Sequence, residues 1–190
     1  MKLICKKLLG NNKDKYFYMY RILLFIICFF MFCPGLDAQK LSDSIQKIYA
    51  QNDQEQKAGT GFFIHPNILA TNFHVISGAN NIYLLNKENP VLINTVLDFD
   101  KQVDLALVYS PIQGQALPFA SKTLSVGEEV TTIGYPGGDS GQKTFPGIFY
   151  GWEKIHDIWH IQIHGYIIPG MSGGPVFNEQ GEVVGINRLG

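Results

Sequence analysis

Two serines in this chain sit among glycines, where a hydroxyl can be presented as a nucleophile. Ser140 lies in GGDSGQ, residues 137–142, and Ser172 in PGMSGGP, residues 169–175. A free serine hydroxyl is a weak nucleophile. It needs a base, usually histidine, and a third group that orients the base. It also needs backbone N–H groups aimed at the oxyanion that forms on an attacked carbonyl. The chemistry to look for is acyl transfer, and the partners to look for are a histidine at a strand end and an aspartate entering the core.

Ser172 has the more suitable surroundings. The glycines of Gly170-Met171-Ser172-Gly173-Gly174-Pro175 permit the dihedrals of a tight turn. Such a turn can point the N–H groups of Gly170 and Ser172 into one small cavity. Residues 175–177, 178–181 and 182–186 then read as strand, turn, strand. Ser140 has no apolar strand directly after Gly141, and Asp139-Ser140-Gly141 is ordinary turn chemistry, so Ser140 reads as a loop residue. His74 follows an apolar strand in ATNFHVI. Asp104 opens DLALV, and an acid leading an apolar strand is partly buried and needs a partner. Asp98 and Asp100 are nearby rivals, but DFDKQ reads as a polar turn.

Two other chemistries fail on their context. Residues 170–174 also match Gly-x-Ser-x-Gly, the strand-to-helix elbow of α/β-hydrolases. That elbow needs a helix after the serine and a later histidine. Here a strand follows, and no histidine comes after His164. His156, His160 and His164 recur every four residues, the spacing of ligands on one helix face, but IWHIQIH reads as a strand. No metal and no cofactor are expected.

The elements that must position these residues are strands. Residues 59–64 and 68–71 read as two strands joined by His65-Pro66-Asn67. Further β segments are 82–86, 91–98, 103–109, 129–135, 144–151, 158–164, 174–178 and 182–187, several rich in Val, Ile, Thr and aromatics. In residues 158–164, Ile158, His160, Gln162 and His164 share one face and Trp159, Ile161 and Ile163 the other. Trp152 and Trp159 read as core or barrel-surface aromatics. Residues 41–57 are ambiguous: Leu41, Ile45, Ile48 and Tyr49 fit a short helix, 45–50 also fits a strand, and 51–57 reads as a loop. Many short strands separated by turns make the fold class all-β, an antiparallel barrel or sandwich.

The 190 residues are 46% hydrophobic and 16% charged with a net charge of −1, which allows one sizeable core and gives no reason to expect nucleic acid. Residues 1–38 are set apart as a signal peptide. Lys2, Lys6, Lys7, Lys13, Lys15 and Arg21 make a basic leader, Ile22 to Phe32 an uncharged apolar run, and Pro34-Gly35 a break before Ala38. The run is shorter than the roughly 20 residues of a spanning helix, so no stable membrane anchor is expected after cleavage. Met19 is an alternative start. All three cysteines (Cys5, Cys28, Cys33) lie in this leader, so a mature chain from Gln39 has none, which suits a bacterial periplasm or envelope. Six of the fifteen basic and two of the sixteen acidic side chains also lie there, leaving a net charge of −5.

Three segments carry a resemblance. GTGFFIHPNILATNFHV is similar to the histidine region of trypsin-like (chymotrypsin-fold) serine peptidases, above all the bacterial high-temperature-requirement (HtrA/Deg) branch. DLALV resembles the family's aspartate segment, and IQIHGYIIPGMSGGPVFNEQGEVVGIN its serine segment. They stand in the family's order and cover about residues 58–187. The resemblance implies two antiparallel β-barrels, about 58–112 and about 118–190, with the active site in the cleft between them. It implies His74 as general base and then acid, Asp104 as the group holding its tautomer, and Ser172 as nucleophile. The N–H groups of Gly170 and Ser172 would form the oxyanion hole.

The chain departs from the family where it stops, at Gly190, ahead of the segment that lines the primary specificity pocket. The second barrel is therefore expected to be truncated at its C-terminus, and side-chain preference is not legible. Ile168 and Met171 are more apolar than usual beside the serine. The expected function is that of an exported serine endopeptidase acting on proteins or peptides, periplasmic or extracellular. The competing expectation, motivated by the missing pocket wall, is a non-catalytic peptide-binding or scaffold protein on a degenerate form of the fold.

Overall fold

The computed structural model describes residues 38–85, 89–137 and 141–188, all within the unit Ala38–Gly190. The expected signal peptide (apart from Ala38), the three cysteines and Ser140 lie outside the described residues. A short helix, α1 (Ala38–Asp43), leads into β1 (Ile45–Gln51), β2 (Gln56–His65) and β3 (Ile68–Thr71). A four-residue helix, α2 (Phe73–Ile76), is followed by β4 (Asn81–Leu85), β5 (Pro90–Ile93), β6 (Val96–Asp100) and β7 (Leu105–Tyr109). The remaining strands are β8 (Glu129–Gly134), β9 (Lys143–Ile155), β10 (Ile158–Gly165), β11 (Pro175–Phe177) and β12 (Val183–Ile186).

They form two antiparallel sheets, ordered β5-β4-β1-β2-β3-β7-β6 and β10-β9-β8-β11-β12. Register shifts at Phe63/His65, Val96/Asp98, Gln162/Ile163 and Val176/Phe177 add local twist, and each sheet curls into a half-barrel. The shift at Gln162/Ile163 also breaks the expected clean alternation along β10. Trp152 and Trp159 are surface aromatics, 45% and 64% exposed.

The apolar runs of β2 and β3 are explained by burial on both faces. Phe63 and Leu69 point into the first half-barrel with Ile48, Leu84 and Val108. Their neighbours Phe62 and Ala70 point the other way, onto Ile133, Phe177 and Val183 of the second sheet. A third cluster, Leu124, Val130, Phe149 and Val176, fills the second half-barrel. Each fully buried Phe or Leu contributes roughly 1.5–3 kcal/mol relative to exposure. The central strands thus weld the two half-barrels together along the line where the candidate residues lie.

Several expectations are corrected. The ambiguous stretch divides into helix and strand, α1 then β1. The loop shrinks to 52–55, where Asn52 Oδ1 accepts the N–H groups of Gln54 and Glu55. Segment 91–98 is two strands, broken at Asn94-Thr95. Asp98 and Asp100 lie in β6, paired with Leu107 and Leu105, and the turn is confined to 101–104. β6 is an edge strand exposed along its whole length, so no burial pattern marks it in the sequence.

Candidate active site

His74 is in α2, not at a strand end, and Asp104 organises that helix. Asp104 adopts φ 58°, a left-handed conformation that aspartate tolerates better than most residues. It occupies the turn just before β7. From there its carbonyl accepts the Phe73 N–H at 3.2 Å and the Asn72 side-chain amide at 2.9 Å. Its Oδ1 accepts the His74 N–H at 2.8 Å. One residue therefore satisfies the first N–H groups of α2, which have no acceptor inside the helix. The Asn72 side chain makes no cap bond of its own there.

The same carboxylate reaches the imidazole. His74 Nδ1 lies 2.7 Å from Asp104 Oδ2. A carboxylate oxygen only accepts, so Nδ1 carries the proton and the neutral ring presents its Nε2 lone pair outward. The Asp104 side chain is 7% exposed and that of His74 46%, so the acid is enclosed while the base stays accessible.

The serine turn is built from opposed peptide planes. In a trans peptide the N–H points opposite to the preceding C=O. The Pro169 carbonyl accepts from Gly137 N–H at 2.8 Å, and the Met171 carbonyl accepts from Gly174 N–H at 3.0 Å. The N–H groups of Gly170 and Ser172 therefore face away from those contacts, and among the described residues neither donates to a protein acceptor. The intervening Met171 N–H and the following Gly173 N–H are both spent, on Ile168 and Asn187 carbonyls. Gly170 and Gly173 have φ 97° and 86°. A Cβ on Gly173 would lie 2.4 Å from Thr71 Oγ1 and 2.9 Å from Asn72 N, so the turn abuts the segment that carries His74. Among the described residues no hydrogen bond joins the Ser172 hydroxyl to His74.

The structure thus brings His74 and Asp104 into direct contact, and sets the Ser172 turn against the chain two residues before His74. Three residues not singled out in the sequence also take part. Asn72 holds the Asp104 carbonyl. Arg188 places Nε 3.3 Å from Asp104 Oδ2 and Nη1 3.3 Å from His160 Nε2. Thr60, fully buried, contacts the serine turn. A polar residue inside the apolar run GTGFF was the available signal for Thr60; an isolated arginine beyond a strand end offers none for Arg188.

A cavity of about 690 Å³ adjoins the Asp104–Arg188 contact, lined by Asn72, Trp159, His160, Val176, Ile186 and Arg188 among others. Its walls come mainly from β9, β10 and the serine hairpin with the two residues after it. Among the described residues no three His, Cys, Asp or Glu side chains are grouped to hold a metal ion.

The trypsin-like peptidase domain family matches residues 59–186 of this chain. "Serine protease Rv3671c" of Mycobacterium tuberculosis is 32% identical over 158 residues, covering 75% of this chain and 39% of that protein. A "Probable periplasmic serine endoprotease DegP-like" of Pseudomonas savastanoi pv. phaseolicola is 40% identical over 143 residues, covering 70% of this chain and 29% of that protein. The chain spans well under half the length of these relatives. The crystal structure of Rv3671c protease in its active form superposes with a TM-score of 0.69 at 28% identity, covering 78% of this chain and 70% of that one. The serine endoprotease of Yersinia pestis gives 0.70 at 25% identity, covering 80% and 56%.

Proposed function

This chain belongs to the trypsin-like peptidase family and is similar to its HtrA/DegP-like members, and we propose that it is a serine endopeptidase hydrolysing protein substrates through an acyl-enzyme. The observation that carries the reading is the 2.7 Å contact between His74 Nδ1 and Asp104 Oδ2, which leaves Nε2 free to take a proton.

In this reading His74 Nε2 removes the Ser172 hydroxyl proton as the oxygen attacks the scissile carbonyl. Base and hydroxyl close to hydrogen-bond distance in the substrate complex. Asp104 keeps the ring in its Nδ1–H tautomer and stabilises the imidazolium that forms. The unspent N–H groups of Gly170 and Ser172 receive the oxyanion. His74 then gives its proton to the leaving amine. Water, deprotonated by His74, attacks the acyl ester; the intermediate releases the carboxylic acid product as His74 returns the proton to the Ser172 oxygen. The sequence calls on no metal and no cofactor. The cavity lined by Val176, Ile186 and Trp159 takes an apolar substrate side chain.

The same reading assigns the first barrel to about 58–112, the second to about 118–190, and residues 1–38 to a signal peptide directing export to the periplasm or beyond. The DegP-like relatives named periplasmic support export. N-terminal sequencing of the exported protein should begin at Gln39.

A fluorophosphonate probe tests the chemistry. Labelling is expected in the wild type and in Ser140→Ala, and is lost in Ser172→Ala. A folded wild type that binds peptide with neither labelling nor turnover would replace the enzyme with the scaffold reading.

A further inference from the structure

Thr60 sits at the crossing point of the two half-barrels and uses every polar atom it has. Its N–H donates to the Ser172 carbonyl at 2.8 Å, and its hydroxyl donates to the Gly170 carbonyl at 2.8 Å. The same hydroxyl oxygen accepts the Tyr135 N–H at 3.1 Å. Its carbonyl accepts the Thr71 hydroxyl at 2.7 Å, two residues after which Phe73 begins α2. Thr60 is fully buried. Its hydroxyl thus ties it to the serine turn and its backbone carbonyl to the strand that leads to His74.

We propose that Thr60 is a positioning residue that holds the serine turn in its oxyanion-receiving form. The proposal rests on the endopeptidase reading above. Gly170, at φ 97°, has no side chain to restrict rotation of the peptide planes on either side of it. Pro169 C=O is fixed by Gly137 on one side of Gly170. On the other side, the Thr60 hydroxyl fixes the Gly170 carbonyl and, through it, the plane that leads into Met171. Two residues further on, the Thr60 N–H fixes the Ser172 carbonyl. With both carbonyls tied to β2, the Gly170–Met171 and Ser172–Gly173 planes are held, which limits how far the alternating planes that carry the Gly170 and Ser172 N–H groups can swing before any substrate arrives. Without the hydroxyl, the Gly170 carbonyl and the Tyr135 N–H both lose their partner in a part-buried interface, and the chain at Gly170 can turn to find others. The serine, the base and the substrate pocket are untouched by that loss. It therefore acts on the stabilisation of the tetrahedral intermediate rather than on ground-state binding.

Thr60→Val removes the hydroxyl at constant shape, and Thr60→Ser retains it while trimming a methyl. On a peptide substrate, Thr60→Val should lower kcat about 10- to 100-fold with KM within about twofold, below the roughly 10²- to 10³-fold cost of deleting an oxyanion donor outright. Its affinity for a peptide boronic acid, whose tetrahedral adduct presents an oxygen to the same N–H groups, should fall in parallel. Thr60→Ser should restore both. If Thr60→Val does not fold, Thr60→Cys against Thr60→Ser makes the comparison, with the weak S–H donor again losing kcat and boronate affinity together. An active wild type beside a Val or Cys variant of equal kcat overturns the positioning role. So does a Ser variant as impaired as Val or Cys, since packing would then be the cause. A wild type that neither hydrolyses peptide nor binds the boronate overturns the endopeptidase reading itself, and this inference with it.

Discussion

Arg188 Nε lies 3.3 Å from Asp104 Oδ2, the oxygen that also holds His74 Nδ1 at 2.7 Å. The two groups on this carboxylate are not equivalent. His74 grips it twice, through its N–H and its ring. Arg188 reaches it once, from a side chain that is 42% exposed. Water screens the arginine end of the contact, and a single, partly screened reach of this kind contributes about 1 kcal/mol. Arg188→Gln should therefore keep kcat within about fivefold of wild type, the equivalent of that energy. Its effect should instead appear in KM for substrates whose side chains enter the cavity that Arg188 borders. Steady-state kinetics on a peptide series separates the two. A kcat lower by orders of magnitude with unchanged KM would make Arg188 part of the machinery that orients the acid.

Asp104→Asn is the contrasting case. Asparagine tolerates the left-handed φ, so the turn and its capping of α2 through the backbone carbonyl survive. The side chain then offers an N–H₂ group where Oδ1 or Oδ2 stood. With its oxygen kept on the His74 N–H, the amide turns its N–H₂ toward Nδ1, which must then accept, and the favourable tautomer is no longer enforced; the flipped amide leaves the His74 N–H without an acceptor. The expected result is a kcat lower by about 10⁴-fold with a far-ultraviolet circular dichroism spectrum like that of wild type. Retention of activity would remove Asp104 from the proposed mechanism.

The contrast between these two aspartate neighbours shows what is legible in sequence. His74, Asp104 and Ser172 stand out because each is embedded in a local pattern: a strand before ATNFHV, a strand after Asp104, a hairpin after PGMSGGP. The contacts of Arg188 and Thr60 have no such pattern. Arg188 meets Asp104 across 84 residues of chain and Thr60 meets Gly170 across 110. Only the closing of the two sheets brings them together. Strand assignment fails for a related reason at β6, whose exposed edge leaves Asp98 and Asp100 looking like a turn. It succeeds in β2 and β3 because both faces are buried, and continuous apolar runs result.

Gly173 should be irreplaceable where Gly181 is not. Both have positive φ, 86° and 75°. A Cβ on Gly181, in the hairpin turn, meets nothing within 4 Å, so Gly181→Ala costs only the left-handed strain of roughly 1–2 kcal/mol. A Cβ on Gly173 would come within 2.2 Å of the Thr60 carbonyl oxygen as well as against Thr71 and Asn72. Backbone cannot move there without separating the serine turn from β2. Gly173→Ala should melt well below Gly181→Ala and lose fluorophosphonate labelling, while Gly181→Ala keeps it. Equal melting temperatures would mean that the junction of the two half-barrels is looser than these distances require.

Tyr135 gives the fold an alkaline limit. Burial raises the pKa of its phenol above the ordinary 10.0; the hydrogen bond from Gln142 works against this rise and the charge of Asp43 with it. An unfolded chain releases this proton near pH 10.0, while the folded protein keeps it to higher pH. The contribution to stability is therefore whole below pH 10.0 and is lost as pH rises toward the folded pKa. Tyr135→Phe removes the hydroxyl's bond to the Ile45 carbonyl, 3.1 Å long, at a cost of about 1 kcal/mol at neutral pH. It also removes the titration. Urea midpoints of the two proteins should thus differ at neutral pH and converge as pH climbs past 10.0, the wild type falling faster. A gap between wild type and variant that stays constant through the alkaline range would show that the phenol is not held protonated by its surroundings.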